Sequence, residues 1–184
     1  IPAPTTDKAP VSGTPARLRR TNEEQAGNEM STLAFFDDGK SGFYFAMSTE
    51  LNGQAAPRRM QLSLVPFSLV QDPETGAVSA QADMSKAKFV TNNNGNEYRN
   101  ANHPAAFPVF DGKLIAVEYN YQPANSNDTK RYIQVFNKQG QAVLPQTEIF
   151  AKNQDDASMN GDAKSSIARK LTDTKWQIIG WRGA

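Results

Sequence analysis

The stretch Ala105-Ala106-Phe107-Pro108-Val109-Phe110-Asp111-Gly112-Lys113-Leu114-Ile115-Ala116-Val117-Glu118-Tyr119-Asn120-Tyr121 reads as two strands joined by a tight turn. Its arms are rich in β-branched and aromatic side chains, and the Asp-Gly pair between them suits the backbone reversal of a hairpin. Downstream, a polar loop through Pro123 and Asn125-Ser126-Asn127-Asp128 leads to Lys130-Arg131-Tyr132-Ile133-Gln134-Val135-Phe136, a third strand. A turn at Asn137-Lys138-Gln139-Gly140 and a fourth strand over 142–151 complete a unit.

The same order stands earlier in the chain. Thr32-Leu33-Ala34-Phe35-Phe36 is an apolar strand, Asp37-Asp38-Gly39-Lys40 a turn, and Phe43, Phe45 and Met47 alternate with Tyr44 and Ala46 on the strand that follows. After a Gly- and Pro-containing loop at 52–57, Met60, Leu62 and Leu64 alternate with Gln61 and Ser63. A turn at 71–76 then leads to a weaker fourth strand near 77–90. Asp-Gly-Lys recurs at 38–40 and 111–113, and Arg58-Arg59 opens the first unit's third strand as Lys130-Arg131 opens the second's. After the polar stretch 153–162, a further copy begins with 165–171, the turn Thr172-Asp173-Thr174-Lys175 and the strand Trp176-Gln177-Ile178-Ile179-Gly180-Trp181. A helix over 158–170 is the competing reading of that start, because Ile167 and Leu171 fall four apart.

The expected organisation is therefore a leader over 1–28 and an all-β domain over 29–184, with repeats at about 29–98 and 99–157 and a partial one at 158–184. The leader is either flexible or a strand lent to a distant part of the fold. Four antiparallel strands per unit, spaced by about 73 and then about 62 residues between equivalent turns, resemble the blades of a β-propeller. The resemblance carries no Trp-Asp dipeptide and no Gly-Gly doublet, so it names no particular propeller family. It implies an incomplete propeller whose last copy stops after two strands. A β-sandwich or irregular barrel is the rival architecture. An open edge at 176–181 is expected to be covered by another polypeptide or by a further copy of the chain, since soluble proteins avoid bare apolar edges.

Composition narrows the function classes. Twenty basic and nineteen acidic residues give a net charge of +1, so there is no broad field to draw in nucleic acid. No apolar run reaches the roughly 20 residues of a membrane-spanning helix. The absence of cysteine removes disulfides, thiolate metal sites and thiol nucleophiles. The Ile-Pro-Ala-Pro-Thr-Thr opening reads as a chain from which a targeting peptide has been cut, which places the expected compartment as secreted or periplasmic.

Candidate chemistry is sparse. His103 is the sole histidine, and no Gly-x-Ser-x-Gly elbow, phosphate loop or dinucleotide fingerprint occurs. No catalytic residue is assigned, although Asp37, Asp38, Asp111 and Glu118 are the carboxylates that glycoside chemistry would draw on. Two oxygen-rich loops, with Asn92 and Asn94 in one and Asn153, Asp155 and Asp156 in the other, are the candidate metal ligands, and calcium is the ion such donors suit. Asn-rich turns also form without metal. Tyr98, Tyr121 and Trp181 are candidate ligand-binding aromatics, suited to stacking on carbohydrate or to packing in the core. The expected function is a non-enzymatic binding or scaffold module acting through loops or an uncovered sheet edge, as one chain of a larger complex. A carbohydrate-active propeller, lectin or glycosidase, is the alternative.

Overall fold

The computed structural model describes residues 31–48, 50–51, 54–55, 61–91, 102–121, 130–150 and 166–180. Unit one opens with β1 (Ser31–Phe35) and β2 (Ser41–Ser48), joined at the Asp38-Gly39 turn and paired antiparallel from Ser31↔Ala46 to Phe35↔Gly42. A short hairpin, β3 (Glu50–Leu51) and β4 (Gln54–Ala55), precedes the long β5 (Gln61–Gln71), which runs antiparallel along β2. The weak fourth strand expected at 77–90 is broken in two: β6 (Val78–Ala82) and β7 (Lys88–Phe89) both pair with β5, and a 3-10 helix (Met84–Lys86) separates them. Asp83 causes the break, its side chain accepting from the Ser85 N–H as a helix cap does.

Unit two is a four-stranded meander of β8 (Asn102–Val109), β9 (Leu114–Tyr121), β10 (Lys130–Phe136) and β11 (Ala142–Phe150), in the order β11-β10-β9-β8. Unit three is the hairpin β12 (Ser166–Thr172) and β13 (Lys175–Gly180). The described part of the competing helix, 166–170, is thus strand. Its reversal is tighter than expected: Thr172 pairs with Lys175, leaving only Asp173 and Thr174 in the turn, with a register shift between Lys170 and Thr172.

The described residues are all-β, in antiparallel sheets of five, four, two and two strands, and form neither a closed propeller nor a closed barrel. The first strands of the units lie in a row. β1 and β8 run in the same direction, because the Ala106 N–H donates to Thr32 Oγ1 at 3.0 Å at one end and the Asp37 N–H donates to the Gly112 carbonyl at 2.9 Å at the other. β12 follows on the far side of β8.

Alternation fixes what packs between the sheets. Phe43, Phe45, Leu62 and Leu64 of unit one face Ile115, Val117, Tyr119 and Phe136 of unit two in one apolar cluster, and Phe45 meets Phe136 across the gap at 6.0 Å. Each such side chain, fully withdrawn from water, contributes roughly 1.5–3 kcal/mol. The opposite face of unit two, with Phe107, Val109, Ala116, Ile133 and Val135, is covered in part by Ala168 and Trp176 of unit three. β9 is consequently buried on both sides, which is why its sequence reads as a nearly unbroken apolar run.

The two ends of the stack differ. The outer face of unit one is closed by its own insertions, with Leu51 from β3 and Met84 from the 3-10 helix packed over Val65. Unit three has no such cover among the described residues, and Ile167 is 61% exposed, with Leu171 and Ile179 exposed beside it.

The turns between first and second strands carry their own constraint. Gly39 and Gly112 have φ of +62° and +81°, which L side chains resist. A Cβ on Gly39 would meet open space, whereas one on Gly112 would sit 2.8 Å from the Asp37 backbone nitrogen. Gly39→Ala is therefore expected to cost about 1 kcal/mol and Gly112→Ala about 2–3 kcal/mol, because only the second also forces the units apart. Urea denaturation of the two variants checks the ranking.

Candidate functional site

The first turns of units one and two are each tied to the following unit by a carboxylate and a lysine. Asp38 Oδ1 accepts from the Lys40 and Ser41 N–H groups at 2.8 Å each, an arrangement that holds the turn. Its Oδ2 accepts from Ser41 Oγ at 2.7 Å and meets Lys138 Nζ, from the turn between β10 and β11, at 2.8 Å. Lys138 also lies over the Phe36 ring. At the second junction Asp111 binds Lys170 of β12 at 2.8 Å, and Phe110 packs on Trp176 at 6.1 Å. Phe110 and Asp111 both adopt positive φ, 52° and 56°. The turn's own hydrogen bonds, from the Gly112 N–H to the Val109 carbonyl and from the Lys113 N–H to the Phe110 carbonyl, close around this costly backbone.

These ion pairs are exposed, so each adds little to stability and is screened by salt. They still set a pH response. Lys138 first, and then the Ser41 N–H, hold the Asp38 carboxyl well below the usual carboxylate range. A carboxyl depressed in the folded state stabilises fully above its unfolded value and loses that contribution as pH falls toward the folded value. The stability difference between wild type and Asp38→Asn is accordingly expected to be present at pH 6 and to shrink steadily as pH falls below about 4, as read by urea midpoints at each pH.

At the other end of unit two lies a buried polar group. Arg131 Nε donates to Glu118 Oε2 at 3.1 Å, and its Nη1 donates to Asn120 Oδ1 at 3.1 Å. Arg131 and Glu118 are 4% and 2% exposed, on the face turned toward unit three. Burial pulls the guanidinium below its ordinary pKa while Glu118 opposes that shift. On the opposite face Tyr119 stacks on Tyr132, and the Tyr119 hydroxyl donates to Gln134 Oε1 at 2.9 Å. Burial drives the Tyr119 hydroxyl far above the ordinary phenol range. These groups are locked to one another, an arrangement that positions strands.

The carboxylates that glycoside chemistry would use are likewise engaged: Asp37 and Asp38 by Lys138, Asp111 by Lys170, and Glu118 by Arg131. Among the described residues there is no group of three or more side chains suited to a metal. The calcium candidates Asn92, Asn94, Asn153, Asp155 and Asp156, and the aromatics Tyr98 and Trp181, lie outside the described residues. Tyr121 is described. It is 5% exposed and sits edge-on to Tyr132 at 5.8 Å, so its ring belongs to the core between the sheets.

Among the described residues, the flank of β13 is left unpaired. In unit one β5 covers the free side of β2, and in unit two β10 covers the free side of β9. In unit three β13 pairs with β12 alone among the described residues. Trp176 packs against unit two, Ile178 lies on the same face of β13 by alternation, and Ile178 is 37% exposed. The sequence signals this edge through its apolar residues. The partner lysines Lys138 and Lys170 carry no comparable signal, being ordinary surface residues by sequence.

Compared with protein-family models, with curated proteins and with solved structures, the chain matches none.

The buried pair yields a test. Glu118→Leu is expected to destabilise the fold by about 3–5 kcal/mol, because it strands the Arg131 charge away from water. Glu118→Leu with Arg131→Met should recover most of that loss, and chemical denaturation of the single and double variants measures the recovery.

Proposed function

We propose that this protein is a non-enzymatic binding or scaffold module that captures an extended segment of another polypeptide along β13. The observation that carries the reading is that, among the described residues, no strand pairs with the flank of β13 beside exposed Ile178, whereas both earlier units cover the equivalent flank. Exposed strand edges recruit strands, with main-chain hydrogen bonds supplying affinity and alternate side chains supplying selectivity. Units one and two act as the rigid base that holds the edge open. The propeller-like organisation belongs to the same reading: an added segment extends the third unit toward the four-stranded form of the second. Tyr121, buried in the core between the sheets, has no free face for sugar stacking.

Selection of random dodecapeptides against the whole chain tests this, followed by hydrogen exchange of the complexes. Peptides with alternating apolar residues are expected, and they should slow amide exchange within 175–180. Enriched peptides that protect only other segments would count against the reading.

A further inference from the structure

We infer that the natural occupant of the β13 flank is a β-hairpin of another polypeptide, whose first strand pairs antiparallel with β13 and whose turn brings a basic side chain to Asp111. The inference rests on the reading of β13 as a docking edge and adds the form and charge of what docks there.

The chain contains its own version of the arrangement one unit earlier. There β10 lies along β9, β11 lies along β10, and the turn Asn137-Lys138-Gln139-Gly140 between them delivers Lys138 to Asp38 of the preceding unit. Asp111 is the counterpart of Asp38. Each opens an Asp-Gly-Lys turn, and each is followed by the second strand of its unit, beginning at Ser41 or Leu114. Their cations differ in origin. Asp38 receives a lysine from a hairpin turn, whereas the lysine on Asp111 comes from β12 and is shared with Asp173 at 2.9 Å. The Asp111 side chain stays 56% exposed, open to a second cation.

The apolar surface fits the same occupant. Past β9, the far face of unit two continues onto β10 and β11; Ile133 and Val135 are already buried there, and Leu144, which pairs with Val135, is the exposed apolar residue of that face. A strand added to β13 would turn alternate residues toward that face, as Tyr132, Gln134 and Phe136 of β10 turn toward unit one.

Charge and pattern separate the occupants. In a second copy, the hairpins β5–β6 and β10–β11 are already built into their own sheets, and antiparallel pairing of two β13 strands would set the copy's own turn, with Lys175, at the Gly180 end of β13 and away from Asp111. Residues 1–30 hold Pro2, Pro4, Pro10 and Pro15 and no alternating apolar run of five, which does not suit a sheet-pairing hairpin.

A synthetic, fluorescently labelled peptide of residues 130–150, which carries the hairpin with Lys138, serves as the probe against the full chain, read by anisotropy. Variants are compared once their far-UV circular dichroism matches wild type. Saturable binding is expected, weakened about two- to fivefold by Asp111→Asn, similarly by Lys138→Glu in the peptide, at least tenfold by Ile178→Lys, and unchanged by Asp38→Asn. Dependence on Ile178 but not Asp111 would overturn the hairpin-and-lysine inference while leaving β13 as a docking edge, and dependence on neither would remove both. Sensitivity to Asp38→Asn with indifference to Asp111→Asn would mean that the peptide exchanges with the chain's own hairpin, which also overturns the inference. So would self-association of the full chain that competes with the peptide, or binding that emerges only when residues 1–30 are deleted.

Discussion

Everything in this fold rests on two sheets meeting face to face, with Phe43, Phe45, Leu62 and Leu64 on one side and Ile115, Val117, Tyr119 and Phe136 on the other. Aromatic rings set the separation, since Phe36, Phe43 and Phe45 touch edge to face in sequence and Phe45 reaches Phe136 in the facing sheet. The contact also dictates the turns. Two backbones approach closely where the Asp37 N–H donates to the Gly112 carbonyl, and only a residue without a side chain leaves room there. Sheet packing, glycine placement and the two carboxylate–lysine ties are therefore parts of one arrangement.

The second unit is the pivot. Its first face is matched to unit one and its second to unit three, so β9 has no side left for water. Charge is admitted there only in paired form, as Glu118 with Arg131, which burial would otherwise penalise heavily. The third unit inherits a well-defined seat through Trp176 on Phe110 and Lys170 on Asp111, and yet among the described residues the far flank of β13 is unpaired. On the proposed reading, an edge held this firmly leaves little ordering cost to be met when a partner strand arrives.

Much of the strand architecture is legible in the residues. Alternation of Phe43, Phe45, Leu62 and Leu64, and the Asp-Gly turns, mark the hairpins of the first two units, and the four strands expected in unit two are the four observed. Legibility fails where local polar chemistry overrides pattern. Asp83 stops the first unit's fourth strand by capping a helical turn, and the loop expected at 52–57 from its glycine and proline overlaps the small hairpin Glu50–Ala55 that covers Val65. The third reversal was legible in place but not in length, because Asp173-Thr174 lacks the glycine that marks the other two. Of the candidate site residues, Tyr121 shows the underlying ambiguity: an aromatic next to asparagine on a strand reads the same whether it faces a ligand or a neighbouring sheet, and only the presence of unit one opposite decides.

The double coverage of unit two also bears on how the chain comes into being. During synthesis the second sheet can close against the first as soon as residues up to 150 are available, but the surface formed by Phe107, Ala116, Ile133 and Val135 stays wet until 166–180 have followed. At ordinary elongation rates that interval is roughly two to six seconds, long against the closing of a hairpin. For that time a nascent chain displays a greasy patch that the finished molecule buries, so the third hairpin shields its predecessor at birth.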